Sequence, residues 1–67
     1  MINISKKLKE LRHAEGWTQS QTAERLKIGR VNYTRYETNA SRPDYETLVA
    51  IADLFDITLD ELFERKQ

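Results

Sequence analysis

Apolar residues recur along the chain at helical spacing, and nowhere at the strict alternation of a strand. Ile4, Leu8 and Leu11 fall at i, i+4 and i+7, with Asn3 placed to cap a helix before them and Gly16 to end it after them. Thr18-Gln19-Ser20-Gln21 has the spacing of a capping box, so a second helix is expected from Thr18, burying Ala23 and Leu26. Gly29 is placed to enter a third helix that runs to about Thr38, ahead of Asn39, a residue tolerant of left-handed backbone. Arg42-Pro43 blocks helix and Asp44 caps a fourth, whose Leu48, Ile51, Ala52 and Phe55 form one apolar stripe. Thr58-Leu59-Asp60-Glu61 is a second capping box, opening a last helix with Leu59, Leu62 and Phe63 inward. The expected fold class is all-α, a single domain over residues 1–67 made of five short helices. The chain holds no repeat, linker or low-complexity tract.

Residues 18–37 then read as two short helices joined by a tight turn. On a wheel of about 100° per residue, Arg30, Val31, Thr34 and Arg35 cover one side of the second of them, and Tyr33 and Tyr36 fall on the other. A donor-rich face with one apolar contact suits base edges and thymine methyls in the DNA major groove. The plainer reading of the same pattern is a surface helix carrying two arginines.

Composition narrows the choice. The chain has 67 residues, enough for one domain with a modest core, and 39% hydrophobic with 33% charged residues is a globular balance. No apolar run reaches membrane-spanning length and the N-terminus lacks a signal-peptide core. With no cysteine there is neither a disulfide framework nor a thiolate metal site, and a cytoplasmic location fits. Net charge is zero, but the distribution is not even. Residues 1–42 hold nine Lys/Arg against four acids, and residues 43–67 hold two against seven. The half with the helix pair is therefore positive, and a phosphate backbone would feel that end.

The chemistry of an enzyme is missing. The single histidine, His13, sits among charged neighbours on the first helix and reads as an exposed structural residue. The acids at Asp44, Glu46, Asp60 and Glu61 stand at helix starts, where the macrodipole favours them over a catalytic pairing. No glycine-rich phosphate loop or metal-ligand cluster occurs, so no cofactor and no metal are expected.

The stretches LKELR, GWTQSQTAERL, YTRYE, NASRPDYETL and ITLDELF, taken together and in that order, resemble the Cro/CI-type (Xre-like) helix-turn-helix regulators of phage and bacteria. The resemblance implies a lambda-repressor-like fold with the helix-turn-helix formed by the second and third helices. It implies a largely buried ion pair between Arg12 and Glu37, and phosphate contacts from Thr18, Gln19, Asn39 and Arg42. It assigns base contacts to Arg30, Val31, Thr34 and Arg35, and core positions to Tyr33 and Tyr36. The chain departs from the family pattern at four places. Lys27 and Asp56 stand where glycine is usual, Gly29 where a Ser/Thr cap is usual, and Thr22 where a leucine is usual.

The function expected is a sequence-specific regulator of transcription, a repressor that binds double-stranded DNA. The alternative is the antitoxin of a toxin–antitoxin pair, and a third class is a structural adaptor with no salt-sensitive DNA binding. An antitoxin is expected to carry an extra segment to wrap its partner, and this chain stops at Gln67. A toxin or an anti-repressor is the kind of protein partner such a regulator takes, and no membrane is expected. One recognition helix covers too few base pairs to single out an operator, so a homodimer on a palindromic site is expected, with recognition helices about 34 Å apart. Val49, Leu54, Ile57, Leu62 and Phe63 are the apolar residues expected at its interface.

Overall fold

A computed structural model describes residues 4–63. Five helices follow in order, α1 (Ser5–Glu15), α2 (Gln19–Leu26), α3 (Arg30–Glu37), α4 (Tyr45–Leu54) and α5 (Leu59–Leu62), and no strand occurs among the described residues. Three of the starts use the side chains that the sequence placed there. Thr18 and Thr58 each close a reciprocal capping box, with Gln21 and Glu61 respectively, and the Asp44 carboxylate accepts from the Thr47 N–H. The other two starts lack a side-chain cap. Gly29 opens α3 with extended backbone alone, and at α1 the cap position falls on Ile4, while Asn3 lies outside the described residues.

Helix ends follow one scheme. Gly16, Lys27, Asn39 and Asp56 take left-handed backbone, at φ of 73, 60, 63 and 55°. After each, the next residue sends its N–H back around the turn, from Trp17 to Arg12, Ile28 to Ala23, Ala40 to Arg35 and Ile57 to Ala52. The two positions without the usual glycine, Lys27 and Asp56, thus adopt the glycine-type conformation anyway.

The buried centre is formed by Leu8, Tyr33, Ile51 and Leu62, none of which has accessible surface, with Ile4, Ala23 and Leu26 around them. α3 packs on α1 and α2, and α4 on α2 and α5. A Cα radius of gyration of 10.9 Å is that of a close-packed chain, for which scaling gives about 11 Å. Thr22, which replaces an expected apolar residue, is fully buried without a stranded hydroxyl, because its Oγ1 donates to the Thr18 carbonyl at 3.0 Å.

One expectation about the surface is corrected here. Leu62 was expected at a dimer interface, yet it has no accessible surface and belongs to the core of the protomer. Leu54, Ile57 and Phe63 are half-buried and also pack against that core. Val49 is half-buried too, but it is not among the apolar residues packed on the core.

Candidate nucleic-acid interface

α3 is divided between two roles. Tyr33 is fully buried and Glu37 is 2% exposed, so that side of the helix faces the other helices. Arg30, Val31, Asn32 and Arg35 are exposed, and Val31 keeps 70% of its surface although apolar side chains normally gain by burial. Thr34 sits on the border, half-buried. Gly29 lets the chain enter this helix with φ −69° and ψ 146°, values open to any residue, so no left-handed strain enters at that end.

Behind the exposed side lies a polar cluster that ties three helices together. From α1, the Arg12 guanidinium grips Glu37 at the end of α3 through two bonds, Nε to Oε2 at 2.6 Å and NH2 to Oε1 at 3.1 Å. Its third contact, at 3.0 Å, goes to the carbonyl of Trp17 in the turn before α2. From α2, Gln19 Nε2 donates to Glu37 Oε1 at 3.1 Å, and Gln19 Oε1 accepts from the Thr34 hydroxyl at 3.0 Å. The ion pair is withdrawn from water, with side-chain exposures of 12% for Arg12 and 1% for Glu37.

The energetics follow from that burial. Burial opposes the Glu37 charge, but Arg12 first, then the neighbouring Tyr33 phenol and Gln19, outweigh it and hold the carboxyl below its ordinary value. The hydrogen bond to Glu37 raises the Arg12 guanidinium further above neutrality, against the opposing effect of burial. Tyr33 lies against the same cluster. Burial first, and then the neighbouring carboxylate, push its phenol well above the ordinary tyrosine value. Its hydroxyl is the buried side-chain polar atom without an aligned hydrogen-bond partner among the described residues.

The remaining residues expected to touch DNA lie outside this cluster. Thr18 spends its hydroxyl oxygen as acceptor of the Gln21 N–H in the cap and keeps its proton to donate. Asn39 and Arg42 are exposed on the connection between α3 and α4, Asn39 in left-handed backbone. The structure thus brings Arg12, Gln19, Thr34 and Glu37 together, and leaves Arg30, Val31 and Arg35 as a separate outward group. Sequence reasoning missed three features. The Thr34–Gln19 bond is one, since its partners stand fifteen residues apart on different helices. Another is a stack in which the Arg25 guanidinium lies 4.3 Å from the Trp17 ring centre, and Trp17 lies 5.7 Å from Phe55, tying the α1–α2 turn to the end of α4. The third is Tyr45, 71% exposed at the first turn of α4, to which no role was given.

An all-helical domain that buries one side of its third helix and presents the other to solvent is the architecture of the helix-turn-helix proteins. The helix-turn-helix family profile matches residues 8–62, and the chain belongs to that family. It is 43% identical over 61 residues to the HTH-type transcriptional regulator AnsR of Bacillus subtilis, covering 91% of this chain and 53% of the relative. ImmR, another HTH-type transcriptional regulator of that organism, is 35% identical over 66 residues, covering 98% and 52%. RstR, the cryptic phage CTXphi transcriptional repressor of Vibrio cholerae, is 38% identical over 64 residues, covering 96% and 57%. The chain therefore spans about half the length of these relatives. A transcriptional regulator from Listeria innocua superposes with a TM-score of 0.87 at 28% identity, over 96% of this chain and 60% of that one. These relatives are named as regulators, not as enzymes.

Proposed function

We propose that the chain is a sequence-specific double-stranded DNA-binding module of a transcriptional repressor, which sets α3 in the major groove of a palindromic operator as a homodimer. The observation that carries this reading is the exposed side of α3, where Arg30 and Arg35 flank a Val31 that keeps 70% of its surface. Arginine pairs with the O6 and N7 acceptors of guanine, and an apolar side chain suits a thymine methyl. Thr18, Gln19, Asn39 and Arg42 hold the module on the phosphates to either side of the groove. Repression is favoured by the name of the Vibrio phage relative.

The test is selection of bound sequences from a random duplex library. A palindrome with half-sites about one helical turn apart is expected. Replacing Arg30 or Arg35 with alanine should weaken binding by about 1–3 kcal/mol and relax the preference at one base pair per half-site. Arg42→Ala should weaken all sequences alike. Arginine variants that lose affinity uniformly while keeping the wild-type preference would reassign both residues to the phosphates.

A further inference from the structure

We infer that Thr34 is a positioning residue that fixes the Gln19 amide toward a DNA phosphate, and not a reader of bases. The inference rests on the proposed role of Gln19 at the phosphate backbone. A glutamine amide can sit in either of two orientations that exchange its oxygen and nitrogen, and its last torsion is broad. Here the choice is forced. The Glu37 carboxylate, already gripped by Arg12, can only accept, so it must face the amide nitrogen, as it does at 3.1 Å. The amide oxygen is then turned to Thr34, whose hydroxyl must donate to it, at 3.0 Å.

Donors and acceptors along this chain are thereby assigned from one end to the other. Arg12 donates to Glu37, Gln19 donates to Glu37, and Thr34 donates to Gln19. Among the described residues one N–H of Gln19 stays unspent, and a phosphate oxygen, which only accepts, is a partner that matches it. Thr34 has no proton left for the acceptor atoms of a base, and keeps only acceptor capacity on its oxygen. Its half-burial agrees, because Arg30, Val31 and Arg35 are all exposed on the same helix. A threonine in a helix commonly turns its hydroxyl to a backbone carbonyl of the preceding turn. Thr34 instead reaches across to α2, so its hydroxyl joins the Gln19–Glu37 bond in tying α2 to α3.

The test uses the full chain with Thr34→Val, which keeps the shape and removes the hydroxyl, Thr34→Ser, which restores it, and Gln19→Ala. The probes are a duplex selected from the random library by the wild-type chain, and the unselected pool. Thr34→Val should weaken binding about three- to tenfold, equally on both probes, the range of one hydrogen bond. Thr34→Ser should recover it, and Thr34→Val should add nothing in the Gln19→Ala background. In the free protein, Thr34→Val should move the side-chain amide resonances of Gln19 and leave the backbone spectrum otherwise in place. A repeated selection in which Thr34→Val changes the preferred base at one position overturns the inference alone, as does an undiminished loss in the Gln19→Ala background. A wild-type chain that binds neither probe overturns the DNA reading and the inference with it.

Discussion

Glu37 is the residue on which α1, α2 and α3 converge, since Arg12 and Gln19 both donate to it from other helices. Removing one member of a buried pair strands the other in a poorly solvated place. Arg12→Ala or Glu37→Ala should therefore cost about 3 kcal/mol, and replacing both with apolar residues of similar size should recover part of it. Denaturant melts check this, and a loss below about 0.5 kcal/mol would place the pair among exposed ones. Its pH dependence has a definite sign. The Glu37 carboxyl is held below its ordinary value, so its contribution is full above the unfolded carboxylate pKa of about 4.3 and is lost as pH falls through the folded one. Glu37→Gln should flatten the acid limb of the stability profile. Tyr33 works in the opposite direction. Its phenol is held above the ordinary 10.0, so stability present below that pH is lost as pH rises past it, when unfolded chains ionise first. Because the Tyr33 hydroxyl has no aligned partner, Tyr33→Phe should change stability at neutral pH by less than about 1 kcal/mol and remove part of that alkaline slope.

At the scale of the elements, four helix ends share one left-handed turn, but only one of them has glycine in it. An L-residue in that conformation carries about 1–2 kcal/mol of strain, partly offset because glycine also has more freedom to lose on folding. Lys27 and Asp56 should nevertheless respond differently. Lysine at the C-terminal end of α2 is favoured by the helix dipole, whereas aspartate after α4 is opposed by it. Asp56→Gly should thus stabilise the domain by about 1 kcal/mol in thermal or denaturant melts, and Lys27→Gly by less. Equal gains at both sites would remove the dipole from the explanation. At the start of α3, a Cβ on Gly29 meets nothing within 4 Å and φ is negative, so Gly29→Ser adds a cap at no steric cost. A gain of a few tenths to about 1 kcal/mol is expected there.

The described part of the molecule measures 33 × 23 × 19 Å, and its α3, with eight residues, is about 12 Å long. One such helix reaches a few base pairs only, so a palindromic site about 34 Å between half-sites needs a second copy. Of the apolar residues expected at that interface, Val49 remains the one that the core does not claim. Val49→Glu should therefore yield monomers in sedimentation with an unchanged helical spectrum, while Leu62→Asp should unfold the domain by placing a charge in its centre. A dimer that survives Val49→Glu would move the interface elsewhere. On the proposed reading, the uneven charge should make DNA binding and self-association respond oppositely to salt. DNA affinity should fall as salt rises, with a slope reduced by about 1 in Arg42→Ala. Self-association between two acidic halves should instead strengthen, because screening reduces their repulsion.

Local chemistry was enough to place the helices. Capping boxes, apolar spacing at i, i+3, i+4 and i+7, and the Pro43 break act within one or two turns of chain, so Thr18, Asp44 and Thr58 could be read as helix starts directly. The outward Arg30, Val31 and Arg35 were legible for the same reason, since a wheel separates them from Tyr33 without reference to any other helix. Tertiary packing decided the rest. Leu62 follows the same periodic pattern whether it faces the core or a partner, and only the packing of the helices into one core closes it off. Thr34 lies on the border of its helix, and its hydroxyl acquired its role from a glutamine fifteen residues away. Periodicity states which residues share a face of one helix; what that face meets is fixed by the long-range contacts that burial of apolar surface brings about.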